Sequence, residues 1–255
     1  MTLNTAETVK SALGNLTTQL GASLVAVIFF LQVTSTLAGN MTGTGLTGTA
    51  GTLLSLILFG ATVVVALGAL RSFESGELEK THFTENLAIP ILRLGGANIV
   101  ITAFAVLAFA PLGALSSAIG GTGIAEAGAA ALIISLTGIT VSFAAFFYAV
   151  LALCLSLPEI AVKDRRMFKA LDSSVQRTRG HKKQMMLALT PVILLYTVSL
   201  LVNLGTAGNG LASNPVIIIF TGFLGAVTAV TVYSTLIEFH QRIGEEDGNK
   251  EDGFF

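Results

Sequence analysis

The sequence predicts an all-α integral membrane bundle of about six transmembrane helices. Three observations predict it: a very apolar composition, recurring apolar runs of membrane-crossing length, and Lys and Arg confined to alternate connections. The chain of 255 residues is 53% hydrophobic and 11% charged, with a mean hydropathy of +0.79. Soluble proteins carry about 25% charged residues. A soluble globular domain is therefore excluded, and the net charge of −1 matters less than where the charges lie.

Six apolar segments are long enough to cross a bilayer, since a helix rises 1.5 Å per residue and the hydrocarbon core is about 30 Å thick. The predicted spans are residues 20–37, 52–70, 87–115, 129–157, 184–204 and 215–237. Pro191 lies inside the fifth span and predicts a kink, because proline removes a backbone donor. The first run is also compatible with a cleaved signal peptide, since Thr36-Leu37-Ala38 resembles a small-residue cleavage site. The long polar segment before it favours a retained span, and the following loop faces outward in either case.

The distribution of positive charge predicts the topology. The first, third and fifth connections contain no Lys or Arg, while the N-terminal segment, the second and fourth connections, the start of the third span and the C-terminal segment hold all 14. Positively charged segments stay on the cytoplasmic side. We therefore predict a multi-pass protein of the cell membrane with both termini in the cytoplasm. Residues 1–242 form one transmembrane domain, and the acidic residues 243–255 are predicted to be a disordered tail.

A basic segment, residues 157–183, separates the fourth and fifth predicted spans and holds eight of the 14 Lys and Arg residues. Residues 165–179 fit an amphipathic helix, with Asp164 as N-cap and Gly180 at C′. An apolar strip at helical spacing predicts that this helix lies in the plane of the interface, with that strip toward the membrane. The strip contains Met167, Phe168, Leu171, Ser174, Val175 and Thr178.

The cations of this segment are the predicted contact surface for anionic lipid headgroups or for a cytoplasmic or membrane protein partner. Each Lys or Arg near an anionic leaflet contributes about 1 kcal/mol. The seven predicted contact residues are Arg165, Arg166, Lys169, Arg177, Arg179, Lys182 and Lys183. Two interpretations remain open: a coupling helix on which a partner protein acts, or an anchor that only joins two spans. A nucleic-acid partner is not expected.

The same segment carries a family resemblance. The pattern PEIAVKDRRMFKALDSSVQRTRG, from Pro158 to Gly180, resembles a group of prokaryotic and archaeal multi-span membrane proteins. That group includes the membrane domain ahead of some glycerophosphodiester phosphodiesterases. The matching positions are Asp164, Ala170, Leu171, Ser174, Thr178, Arg179 and Gly180. The resemblance implies a multi-span architecture and a prokaryotic membrane location. It implies a stand-alone member without phosphodiesterase activity, since no catalytic domain flanks the predicted spans.

Motifs for catalysis and for cofactor binding are absent from the sequence. It contains no His-Glu-x-x-His helix, no Gly-x-Ser-x-Gly elbow and no phosphate-binding loop. We therefore expect no enzyme activity, no cofactor and no metal. A metal held by His82, Glu85, Glu238 and His240 at the cytoplasmic face is the alternative, and it is disfavoured because these residues lack metal-ligand spacing.

The predicted function is a non-enzymatic scaffold or accessory subunit. The alternative is a transporter or channel for a small solute, and an intramembrane lipid enzyme has only its location in its favour. Polar residues inside the predicted spans distinguish the first two, because a transporter needs a polar path. A water-filled cavity lined by Gln32, Asn98 or Arg93 would favour a transporter, and a solid core of Ala, Leu and Gly would favour the scaffold. We expect Gln32 and Asn98 to form interhelical hydrogen bonds and Arg93 to reach the headgroups.

Overall fold

The computed structural model describes residues 5–40, 46–118, 137, 148–207 and 214–251, which are helical apart from short turns and contain no strand. This confirms the all-helical prediction for these residues. Residues 148–153 are also helical. The helices with defined bounds are α1 (Thr5–Leu16), α2 (Gln19–Asn40), α3 (Leu46–Ser75), α4 (Thr81–Thr84), α5 (Ala88–Ala118), α6 (Ser156–Ala161), α7 (Met167–Thr178), α8 (Lys182–Ala188), α9 (Thr190–Ala207) and α10 (Pro215–Glu251).

Among the residues that the structure describes, three helices are long and apolar enough to cross a membrane: Gln19–Leu37 within α2, Thr49–Ser75 within α3 and Pro215–Gly244 within α10. They coincide with the first, second and sixth predicted spans. Two shorter apolar helices, Ala88–Phe104 and Tyr148–Ala161, fall within or overlap the third and fourth. Most of the fourth predicted span lies outside the described residues. The total of six spans stays a prediction.

The fourth and fifth predicted spans are both interrupted. A turn at residues 154–155 precedes α6, so Pro158 and Glu159, which follow the predicted fourth span of residues 129–157, lie inside a helix. Pro158 is tolerated there because amides in the first helical turn need no intrahelical partner. Helix α8 ends at Ala188 and α9 begins at Thr190, so one residue, Leu189, separates the two helices. That break lies two residues before Pro191, where the kink was predicted.

Both ends of the chain are more helical than predicted. The polar N-terminal segment forms α1, which buries Thr8 and Ala12 against α10. The last helix continues to Glu251, whereas a disordered tail was predicted from residue 243. Glu and Lys have high helix propensity, and extending an existing helix avoids the cost of nucleation.

Helix α7 forms within the predicted limits, but a different face is buried. Its N-cap is Arg166, not Asp164, and Gly180 follows the C-cap Arg179 at the predicted C′ position. Phe168 and Val175, predicted to face the membrane with Leu171, are exposed at 76% and 39%. The buried strip contains Ala170, Leu171, Ser174 and Thr178. Small residues allow α7 to pack closely on α6, so protein contacts determine which face is buried.

Two apolar clusters hold the bundle together. The larger joins α3, α5, α6, α8 and α10 and includes Leu70, Leu155, Ile160 and Phe239. The smaller joins α2, α3 and α10. Helix α6 is buried along its whole length. It therefore places one charged residue, Glu159, inside the fold.

Candidate functional site

The carboxylate of Glu159 on α6 is fully buried and faces three cationic side chains. Its Oε1 lies 2.8 Å from Arg177 Nη1 and 3.7 Å from Lys163 Nζ. Its Oε2 lies 3.0 Å from Arg165 Nη1. A buried carboxylate is tolerated only when it is paired, because desolvation of an isolated charge is very costly. We call these four residues, together with His240, the Glu159 cluster.

His240 brings the last helix to the same carboxylate. Its ring is 3% exposed, and Nδ1 lies 3.6 Å from Glu159 Oε1. Within the described part of the chain, neither Glu159 oxygen nor His240 Nδ1 has an aligned hydrogen bond. The cluster is therefore held by close ion pairing. Three cations face one carboxylate, so the cluster carries an excess of positive charge toward its exposed members, Lys163 and Arg165.

Two arginines from neighbouring helices fix the turn that carries Lys163 and Arg165. Arg71 Nε on α3 donates to the carbonyl oxygen of Ala161 at 3.1 Å, one of the last carbonyls of α6. Arg93 Nη1 on α5 donates to the backbone oxygen of Asp164 at 2.6 Å and to its Oδ1 at 2.7 Å. Asp164 has φ +48°, a conformation that Asp tolerates better than most residues. The turn is therefore held from two sides.

The same end of the bundle contains further polar contacts made by residues 234–242 of α10. They tie α10 to the first helix and to the end of α3, so this part of α10 contacts α1, α3 and α6 through polar groups. Arg242 lies 3.5 Å from Glu238 and 3.6 Å from Glu7. The side-chain hydrogen bonds are Ser11 to Glu238, Asn15 to Ser234 at 2.8 Å, and Gln241 to Glu74 at 3.1 Å. We call residues 234–242 with these partners and the Glu159 cluster the polar end.

The seven predicted contact residues divide into two groups. The first group has contacts within the protein: Arg177, 19% exposed, and Arg165, 42% exposed, both pair with Glu159. Lys182 places its Nζ 3.5 Å from the centre of the Tyr148 ring, a cation–π contact. The remaining four are exposed: Arg166, Lys169, Arg179 and Lys183.

The metal site considered from the sequence does not form. Among the residues with described positions, no three His, Cys, Asp or Glu side chains are placed to hold a metal ion. His82 Nδ1 lies 3.2 Å from Ser72 Oγ, while His240 faces Glu159. These two histidines therefore have different surroundings.

The polar residues of the predicted spans occupy separate contacts. The Gln32 side chain lies directly against Gly225, where a β-carbon would collide with its amide. Arg93 is bound to Asp164, and Asn98 is half-buried on α5. Gln32 therefore packs between α2 and α10, and Arg93 binds the turn after α6 through Asp164.

Sequence reasoning missed Glu159 as the centre of the site. We treated it as the residue that ends a span, and we considered His240 only as a metal ligand. An acidic residue between an apolar run and several cations was the available signal. Its partners lie four, six, 18 and 81 positions further along the chain, and no local pattern places the last two.

No protein-family model, curated protein or solved structure matches this chain. The resemblance carried by residues 158–180 stays a prediction.

Proposed function

We propose that this chain is a non-enzymatic, multi-pass scaffold or accessory protein of a prokaryotic cell membrane, and that α7 rests on anionic lipid headgroups at the cytoplasmic face. In this proposal the chain has six spans, and both termini are cytoplasmic. The polar end then lies at the cytoplasmic headgroup level. The proposal draws on the membrane-length helices α2, α3 and α10 and on the outer face of α7.

The exposed strip of α7 carries the proposal. At 100° per residue, Phe168, Val175 and Arg179 lie within about 40° of one another on the helix. Phe168 is 76% exposed and Val175 39%, and Arg179 and the nearby Lys169 are exposed as well. A strip of apolar side chains flanked by cations is typical of helices that lie in a bilayer interface.

The Glu159 cluster supports a fixed position for this strip. Arg177 in the last turn of α7 pairs with Glu159, and Ser174 Oγ donates to the carbonyl oxygen of Ala152 at 2.7 Å. The inner face of α7 is therefore attached to α6 and to the apolar segment before it. A helix held in this way presents its outer face without a further ordering cost.

The packing of the polar span residues favours a scaffold over a transporter. Gln32 fills the space beside Gly225, and Arg93 is bound at the polar end. Small residues that let helices approach closely are typical of stable transmembrane contacts.

A tryptophan introduced on the outer face of α7 tests the lipid contact directly, because the chain itself contains no Trp and the introduced indole is the sole source of tryptophan fluorescence. Phe168→Trp would introduce the sole tryptophan, and Gln176→Trp, at an exposed position of the same helix, is its control. In liposomes, we expect the indole of the Phe168→Trp variant to emit at shorter wavelength and to be quenched by lipids brominated near the headgroup. The indole of the Gln176→Trp variant should be quenched less. Equal quenching in both variants would contradict the proposal.

Charge reversal tests the preference for anionic lipid. In the Phe168→Trp background, Lys169→Glu with Arg179→Glu should weaken the quenching of the introduced indole, and the loss should be larger with phosphatidylglycerol than with phosphatidylcholine. Unchanged quenching combined with loss of a co-purifying protein would instead favour a protein partner for this face.

Reporter fusions test the topology. Green fluorescent protein should be fluorescent after residues 86, 180 and 255, and alkaline phosphatase should be active after residues 45, 122 and 210. Any reversal within the first set would contradict the proposed arrangement.

A further inference from the structure

Two neighbouring cavities lie along the side of α2, next to the connection between α3 and α4. One has a volume of about 490 Å³ and the other about 340 Å³. They are adjacent because both are lined by Ser23 and Leu78. Neither includes a residue of α7, so this surface is separate from the one proposed above.

The two cavities differ in polarity along the axis of α2. The larger is lined near the start of α2 by Asn15, Thr18 and Gln19. The smaller is lined further along by Leu24 and Val27, with Val65 of α3 opposite. Gln19 and Val27 are eight residues apart, or about 12 Å along a helix. The α2 side of the surface therefore changes from polar to apolar over the depth at which a phospholipid does the same, while Glu79 and Lys80 of the opposite connection border the smaller cavity.

The α3–α4 connection brings charges to both cavities: Glu77 lines the larger one, and Glu79 and Lys80 line the smaller one. Helix α3 ends at Ser75, and Gly76 follows with φ +77°, its amide donating to Ser72 O at 2.9 Å. Glycine adopts this conformation without strain. The next residues line the two cavities. Leu78 is 47% exposed between them.

The charges on this connection select the headgroup. Glu77, Glu79 and Lys80 are all exposed, and each lines one of the two cavities. Two carboxylates beside one ammonium repel a purely anionic headgroup. They complement a headgroup that carries both a phosphate, for Lys80, and a primary ammonium, whose N–H groups can donate to Glu77 or Glu79 as a trimethylammonium cannot.

We infer that this groove binds an aminophospholipid of the phosphatidylethanolamine class, with its headgroup beside Glu77, Glu79 and Lys80 and an acyl chain along Leu24, Val27 and Val65. The inference rests on the proposed membrane placement of α2 and α3. It concerns a different lipid and a different surface from those proposed for α7. An experiment can therefore contradict the groove and leave the lipid contact of α7 standing, or the reverse.

Native mass spectrometry of the delipidated full-length chain in mild detergent tests it. We expect phosphatidylethanolamine to bind with about fivefold preference over phosphatidylcholine and phosphatidylglycerol, as one favourable charge contact at a membrane surface allows. Glu77→Gln with Glu79→Gln, which removes the carboxylates that pair with the ammonium, should abolish the preference. Lys80→Glu should weaken the binding of all three lipids, because they share the phosphate, and so should Ser23→Trp, which fills the groove. Soluble phosphoethanolamine should not compete, because it lacks the acyl chain.

Leu194→Trp is the matched control for Ser23→Trp, since Leu194 is exposed on α9. Circular dichroism verifies that each variant keeps its helical content, and the variant with Glu77→Gln and Glu79→Gln remains informative if Ser23→Trp does not fold. Equal binding of the three lipids, or an unchanged preference in the variant with Glu77→Gln and Glu79→Gln, would overturn the inference. Loss of anionic quenching at α7 with retained phosphatidylethanolamine binding would contradict only the proposed function.

Discussion

Helix α10 packs against the rest of the protein in two different ways along its length. In its apolar half, a β-carbon at Gly222 would lie 2.8 Å from Val33 Cγ2, and one at Gly225 would collide with Gln32. We call this close contact between α10 and α2 the seam. At the polar end, α10 instead uses Ser234, His240 and neighbouring polar side chains.

The difference follows from the surroundings of each half. Lipid tails are as apolar as the helix surface, so close van der Waals contact between small residues is the available source of helix association. At the polar end, ion pairs and hydrogen bonds specify which elements meet, and each leaves an unpaired group if one partner is lost. We therefore expect substitutions at the polar end to cost more than those at the seam.

The largest effect is expected at the centre of the polar end. Glu159→Gln keeps the shape of the side chain but leaves Lys163, Arg165 and Arg177 without a counter-charge. Breaking a buried ion pair in this way costs about 3–5 kcal/mol. Unfolding in mixed detergent micelles by titration with sodium dodecyl sulfate measures the change in free energy. A decrease in the free energy of unfolding of less than about 1 kcal/mol would show that the cluster contributes no more than an exposed ion pair does.

Gly21→Ala should have the next largest effect, at the junction of α1 and α2. The added β-carbon would lie 2.9 Å from Asn15 C and from Leu16 Cα and would collide with Asn15 O. These are backbone atoms that cannot rotate away, so we expect a cost of about 1–3 kcal/mol. Gly14→Ala is the control, because open space surrounds that position, and it should stabilise α1 by up to about 1 kcal/mol. Similar unfolding free energies for the two variants would contradict this account.

Gly225→Ala tests the seam itself. The obstructing group is the amide of Gln32, a side chain that can shift, so we expect a cost of only about 1 kcal/mol. Gln32→Ala should relieve that cost in the double variant. Gly60→Ala, with nothing near its β-carbon, is the control. Additive effects of Gly225→Ala and Gln32→Ala in the same unfolding titration would mean that the two residues do not interact.

The smallest effect is expected for Asp164→Asn. Asp164 is 64% exposed and pairs with Arg93, and exposed pairs contribute about 0–1 kcal/mol. Asn also tolerates the positive φ of this position. Asp164→Ala should cost about 1–2 kcal/mol more, because an ordinary side chain is strained at φ +48°. Equal melting temperatures for the two variants would show that backbone strain at this position is unimportant.

Long apolar helices could be predicted from the sequence because composition and length suffice for them. Helices α2, α3 and α10 begin within six residues of the predicted spans. Helix α1 was also readable: Val9, Ala12, Leu13 and Leu16 follow helical spacing. We did not predict α1, because the polar composition of residues 5–16 drew attention away from this spacing.

The Glu159 cluster and the buried face of α7 could not be predicted. Helical projection treats lipid and protein as the same apolar surroundings. It therefore placed Phe168, Leu171, Ser174 and Val175 on one strip facing the membrane. In the structure Phe168 and Val175 are exposed, whereas Leu171 and Ser174 are buried within the protein together with Ala170. The partnership of Glu159 with Arg177 and His240 depends on how α6, α7 and α10 meet, and that is set by packing between distant segments.

The contacts of α1 with α10 also impose an order of events during synthesis. Asn15 and Ser234 are 219 positions apart, and a ribosome adds about 5–20 residues per second. The first helix is therefore complete roughly 10–45 s before its partner exists. During that interval the apolar side of α1 must be covered by something other than its final neighbour, and the bilayer surface beside the newly inserted α2 is the nearest apolar cover.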